Sequence, residues 1–275
     1  MRLVRSEFLK IRTTNVWWLF VLGTFGLWAV SFFFNALQAH FVLNPPDEGI
    51  DPDQAATFAA MAKPAAMTAF LATSGQFFGL MFVLLLGILT VTNEFYHQTA
   101  TTTFLATPHR TAVIVAKTAA ASVFGVLLWA LTTALSIAGT VIFLNIEGAE
   151  IALGDSAVIR SILLNLLAFG LWALIGVGFG VLIRSQIGAT VTALVIYLVG
   201  TIAVSIIVQL LFLWLKQDWI QQIQWGMPSI ASGLLVSGVD LPNQPHYWVG
   251  GLVLLAWAAV TGIIGTMITR TRDIS

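Results

Sequence analysis

The chain has 275 residues, 58% of them hydrophobic and only 9% charged, with a mean hydropathy of +0.93; this excludes a soluble globular protein and leaves room for several bilayer spans of about 20 residues each. Its formal net charge is zero, and no basic cluster is interleaved with aromatic residues, so nucleic acid is not an expected partner. Cysteine is absent, which removes disulfides, thiolate metal sites and a cysteine nucleophile together.

Residues 1–14 carry Arg2, Arg5, Lys10 and Arg12. The apolar run behind them is long and lacks a small-x-small exit, so the segment reads as retained rather than cleaved. At 100° per residue Met1, Val4, Phe8 and Ile11 share one face, Arg2, Ser6 and Lys10 lie opposite, and Arg5 and Arg12 border the two. That pattern predicts an interfacial helix, with Leu9 misplaced on the polar side; a disordered basic leader serving only orientation is the competing reading. A first span is predicted over 16–37, entered by Trp17 and Trp18 at the headgroup boundary. Residues 38–64 hold Asp47, Glu48, Asp51, Asp53 and an Asn44-Pro45-Pro46 break, and read as an exposed acidic loop with a short helix from Gln54. Their carboxylates lack the spacing of a calcium-binding EF-hand loop. The second span, 65–91, contains Gly75 and Gly79, which permit close helix approach; substrate recognition is the sharper alternative.

A polar island follows at 92–110. Thr99 can cap a short helix, Phe104 and Leu105 give it an apolar edge, and Pro108 stops it. Thr99, Thr101, Thr102 and Thr103 are β-branched, so such a helix is not expected to hold its shape alone. Either something outside the membrane completes it, or the stretch is a solvated loop with an incidental turn. The third span covers 118–146. After a loop with Glu147, Glu150 and Asp155, the fourth lies between Arg160 and Arg184, where 161–183 measures about 34 Å at 1.5 Å per residue. Gly176, Gly178 and Gly180 argue for tight packing there, and no lysine follows them at Walker spacing. The fifth and sixth spans are 187–215 and 248–269. Between them, Trp214, Trp219 and Trp225 mark an interface, and the apolar run 229–239 is too short to cross. It predicts re-entrant short helices on the extracellular side, or a loop folded over the spans.

The fold class expected is therefore an all-α integral membrane protein, one transmembrane domain over 1–275 with six helices and both termini on one side. Nine of the twelve basic residues, Arg2, Arg5, Lys10, Arg12, Arg110, Lys117, Arg184, Arg270 and Arg272, share that side, which the positive-inside rule makes cytoplasmic. Among the acidic residues only Glu7, Glu94 and Asp273 join them. Chemistry is scarce: His40 and His246 fall on one side, His97 and His109 on the other, without zinc-helix spacing. No nucleophile elbow occurs and no carboxylate ladder runs through the spans. Catalytic, cofactor and metal residues are expected to be none.

Three marks in order then carry a likeness. Ser6-Glu7-Phe8-Leu9-Lys10-Ile11-Arg12 runs into the first span; Asn93-Glu94-Phe95-Tyr96-His97-Gln98-Thr99 is followed by Phe104-Leu105-Ala106-Thr107-Pro108-His109-Arg110 and Lys117; the tail reads Arg270-Thr271-Arg272-Asp273. Over almost its whole length the chain resembles the membrane (permease) subunit of an ABC transporter of the type-two export class. The resemblance implies that 93–110 is a coupling region seated in a groove of a separate ATPase, with Glu94, Phe95, Tyr96, His97, Thr99, Phe104, Leu105, Pro108 and Arg110 as its residues. It implies that Arg5, Glu7, Phe8, Lys10 and Arg12 belong to an elbow helix on the inner leaflet. ATP and Mg are then expected on the partner ATPase and no cofactor on this chain. A second copy or a sibling permease, a bacterial inner or plasma membrane, and an apolar or amphiphilic cargo complete the expectation. In the family a basic residue commonly stands where Tyr96 is, and glycine where Gln98 is. A stand-alone channel or secondary transporter is the alternative, and a structural or regulatory membrane protein a third.

Overall fold

The computed structural model describes residues 2–14, 17–45, 52–106, 110–183, 185–237 and 244–271. Among them the chain is helical almost throughout and forms no strand. Six helices are long and apolar enough to cross a membrane: Trp17–Leu43, Pro64–Tyr96, Thr111–Glu147, Ser156–Leu182, Gln186–Leu215 and Tyr247–Gly265. The molecule is thus built as a multi-pass membrane protein.

In chain order the elements are α1 (Arg2–Thr13), α2 (Trp17–Leu43), α3 (Pro52–Met61), α4 (Pro64–Ala72), α5 (Gln76–Tyr96), α6 (Ala100–Ala106), α7 (Arg110–Glu147), α8 (Ser156–Leu182), α9 (Gln186–Leu194), α10 (Thr201–Leu215), α11 (Trp219–Gln222), α12 (Pro228–Leu235) and α13 (Tyr247–Thr271). α5 and α8 form the centre, where Leu80, Val83, Ile88, Ala168, Phe169 and Ala173 are buried; Leu128 of α7 and Leu254 of α13 close around them. Glycines let the two central backbones touch. A Cβ on Gly180 would stand 2.8 Å from the Ile88 carbonyl oxygen, one on Gly87 2.8 Å from that of Ala173, and one on Gly176 would run into the Leu84 carbonyl. The small residues of the fourth span are therefore contact points between helices.

Several boundaries differ from the expected ones. α2 continues past 37 to Leu43 because Ala39 and Val42 pack with Met67, Leu71 and Leu144 in a second small core. α7 has 38 residues, about 57 Å of helix, roughly twice the hydrocarbon thickness; it begins at Arg110 rather than 118. The second span is not one rod. α4 and α5 are separated by a turn at 73–75 whose polar groups are occupied: Thr73 Oγ1 donates to the Ala69 carbonyl at 2.8 Å, and Ser31 Oγ donates to the Ser74 carbonyl at 2.6 Å. A helix broken within an apolar bundle survives only when its freed groups are satisfied in this way.

The fifth span is interrupted as well, by a π-helical turn at Val195–Gly200. Tyr197 is drawn inward there, its hydroxyl donating to the Phe77 carbonyl at 2.6 Å. The run 229–239 starts as helix, and α12 lies buried between α8 and α13. Trp172 Nε1 donates to Ser232 Oγ at 2.8 Å and Gln76 Nε2 to the Ser232 carbonyl at 3.0 Å, while Gly250 admits the α12 backbone beside α13.

Candidate functional site

At one end of the bundle, α1 lies across α7 and brings its inner face to the junction of α5, α6 and α7. Phe8 and Ile11 pack inward on the core, the Phe8 ring standing 5.9 Å from that of Phe124. Arg5 and Arg12 point outward. The deepest side chain of that face is polar: Glu7 is buried.

Glu7 is buried because Lys117 is there to meet it. Lys117 begins the third turn of α7 and is only 2% exposed. Its Nζ donates to Glu7 Oε2 at 2.8 Å and to the Thr90 carbonyl of α5 at 2.8 Å, and pairs with Glu94 Oε1 at 2.8 Å. The three N–H donors of the ammonium thus have three acceptors. Lys10 completes the cluster from the rim, 2.6 Å from Glu7 Oε1 and 2.7 Å from Glu94 Oε1. Partial burial draws the Lys10 ammonium down, but hydrogen bonds and charge from Glu7 and Glu94 outweigh it and hold its pKa above the ordinary lysine value of 10.5. Two carboxylates and two ammonium groups cancel, which is what allows four ionised side chains to sit together in so apolar a surrounding.

The cluster reaches α6 through one further bond. Thr103 Oγ1 donates to Glu94 Oε1 at 3.3 Å. Between Glu94 and α6 the chain reverses in a Schellman turn, with Thr99 N–H donating to the Glu94 carbonyl at 2.8 Å and Gln98 N–H to that of Phe95 at 3.2 Å. Gln98 occupies the left-handed position at φ 57°, the place where glycine is commonest. α6 spans only seven residues, and Leu105 on it is 79% exposed.

The residues expected to act together are thus partly dispersed. Glu94 and Phe95 belong to the last turn of α5, Glu94 buried and Phe95 packed on the core. Tyr96 and His97 are exposed, their rings 5.0 Å apart and edge-on. Thr99 precedes α6, its hydroxyl turned back 3.5 Å toward the Glu94 carbonyl. Phe104 and Arg110 are placed by their backbones in α6 and at the start of α7; Pro108 lies outside the described residues, and with it the expected stop. Two expectations are corrected. Glu94 is no solvated loop residue, because the helix of the second span runs on through it. Lys10 does not remain on a free polar face, because its four-carbon stem lets the ammonium bend back to Glu94.

In sequence Lys117 counts only as a basic residue of one side and as a mark of the likeness, with no sign of its ion partners. The available signal was a lone lysine inside an apolar helical run, which demands a counter-charge.

Away from the ion cluster lies a cavity of about 200 Å³, walled by Trp172, Phe179, Tyr197, Met227 and Trp257 and almost wholly apolar. Among the described residues no group of three metal-ligating side chains occurs. Neither any protein-family model nor any curated protein matches the chain.

Proposed function

We propose that the chain is the permease subunit of an ATP-driven exporter of the ABC type-two class, moved by a separate ATPase that binds ATP and Mg. One observation carries the reading: α6 is a short helix with an exposed leucine, and its base is fastened through Thr103, Glu94, Lys117, Lys10 and Glu7 to α1, α5 and α7 together. A push on α6 is therefore delivered to three helices at once rather than absorbed by a loose loop. In this reading α6 and its flanks are the coupling element, and α1 is the elbow helix lying along the inner leaflet. The bundle end bearing α1 and α6 faces the cytosol of a bacterial inner or plasma membrane. The apolar faces of α2 and α10 meet lipid and a second permease copy or sibling, α11 and α12 lie re-entrant on the far side, and the cargo is apolar or amphiphilic.

The test is co-purification of the tagged chain with an ATPase from native membranes, followed by hydrolysis assays in lipid vesicles. Leu105→Asp places a charge in the contact without touching the buried ions. It is expected to lower permease-stimulated hydrolysis by about tenfold, the loss of about 1.4 kcal/mol of docking, with folding and insertion unchanged. Full stimulation by this variant, or transport by the chain with no ATPase present, overturns the assignment.

A further inference from the structure

Beside the buried ions, and bordered by α1, α2, α5 and α6, lies an open-sided cavity of about 420 Å³, within the roughly 300–1,000 Å³ typical of small-molecule sites. Its two ends differ in chemistry. One is walled by Trp17 and Phe20 of α2 and by Leu86 and Leu89 of α5; the other is lined by Lys10, Asn93 and the carboxylates of Glu7 and Glu94. Of the four ions only Lys10 is open to the surroundings, its side chain 46% exposed. Its ammonium spends two N–H donors on Glu7 and Glu94 and keeps a third. Both carboxylates are already held by Lys117 from the buried side, so the donor left open at the mouth belongs to the Lys10 ammonium.

We propose that this cavity binds a membrane amphiphile with a phosphate headgroup, the phosphate taken by Lys10 and Asn93 and the first part of the acyl chain by the wall of Trp17, Phe20, Leu86 and Leu89. The position fits such an occupant. α1 is amphipathic, the two tryptophans that open α2 are of the kind found at headgroup level, and the apolar end of the cavity runs along two membrane-crossing helices. An inorganic phosphate would leave that apolar wall empty, and a neutral amphiphile would offer the Lys10 donor only an uncharged acceptor, a weaker bond than phosphate gives. The inference is independent of what drives the protein, and its test involves no ATPase.

The experiment is native mass spectrometry of the purified full chain in detergent, titrated in turn with oleoyl lysophosphatidic acid, monooleoylglycerol and inorganic phosphate. One lysophosphatidic acid per chain is expected, held about tenfold more tightly than monooleoylglycerol, with inorganic phosphate failing to displace it. Leu89→Trp and Thr14→Trp, which fill the cavity without altering an ion, are each expected to weaken binding by about tenfold or more. Lys10→Gln is expected to do the same, and Lys10→Arg to keep most of the affinity. Equal retention of the neutral amphiphile overturns the proposal, as does displacement by inorganic phosphate at like concentration, or undiminished binding to both tryptophan variants. Where a variant fails to fold, the comparison of the three compounds on the unaltered chain decides.

Discussion

Replacing the Lys117 ammonium with the thioether of methionine keeps most of the side-chain length and leaves Glu7 and Glu94 with Lys10 alone. Removing one partner of a buried ion pair strands a charge, at a cost of about 3–5 kcal/mol. Lys117→Met is therefore expected to lower the thermal unfolding midpoint of the purified protein sharply, and adding Glu7→Gln to restore part of it by removing the stranded carboxylate. A midpoint equal to the parent's would show that the cluster does not hold α1 in place. Gln98 offers the opposite sign. Its φ of 57° costs a side-chain-bearing residue about 1 kcal/mol or more, and its partners are backbone groups that glycine retains. Gln98→Gly is expected to stabilise the α5–α6 junction by about 0.5–1 kcal/mol, read as slower amide exchange over α6, whereas Gln98→Val should speed it. These two positions differed in how far the sequence exposed them. In the resembled family glycine is usual at position 98, and Gln98 departs from that pattern and leaves the local turn open, so the turn was at most half legible. The Lys117 cluster was not, because Glu7 lies 110 residues away and no local periodicity records such a pairing.

Among the elements, the helices were legible and their breaks were not. The run 65–91 carries no charge, so hydropathy reads it as one span despite Thr73-Ser74-Gly75-Gln76; the turn at 73–75 depends on Ser31, from another helix, to satisfy the Ser74 carbonyl. The same holds for the π-helical turn of the fifth span, where Tyr197 is held by Phe77, 120 residues away. Small-residue spacing gave a truer account, since Gly176 and Gly180 do stand where α8 meets α5. A side chain at Gly176 has only the α5 backbone to push against, and backbone cannot turn aside as a rotamer can. Gly176→Leu is accordingly expected to cost about 1–3 kcal/mol by overpacking and to lower the yield of folded protein from membranes, while the same change at Gly26, whose Cβ position meets nothing, should be tolerated. Comparable yields from the two variants would mean that α5 and α8 are not in backbone contact.

For the whole molecule, charge sorts by end. The end carrying α1 and α6 bears Arg5, Lys10, Arg12 and Lys117; the other is closed by Glu147, which accepts from His40 Nδ1 at 2.9 Å and from Asn44 Nδ2 at 3.0 Å. Basic residues near span ends are retained on the cytoplasmic side during insertion, so in the proposed reading α1 and α6 face the cytosol and the α7–α8 link faces the outside. Because the chain contains no cysteine, single cysteines report their own position with no background. Thr13→Cys on α1, Thr101→Cys on α6 and Glu150→Cys after α7 are all at exposed sites. A membrane-impermeant maleimide added to intact cells is expected to label the E150C variant, and to reach T13C and T101C only after permeabilisation. Labelling of T101C in intact cells would put α6 beyond the reach of any cytosolic ATPase and remove the coupling role. Labelling of E150C and T101C under the same condition would mean that α7 does not cross, and the count of six crossings would fail with it. The outcome does not depend on knowing the cargo, because it follows from where twelve basic side chains were distributed along one apolar chain.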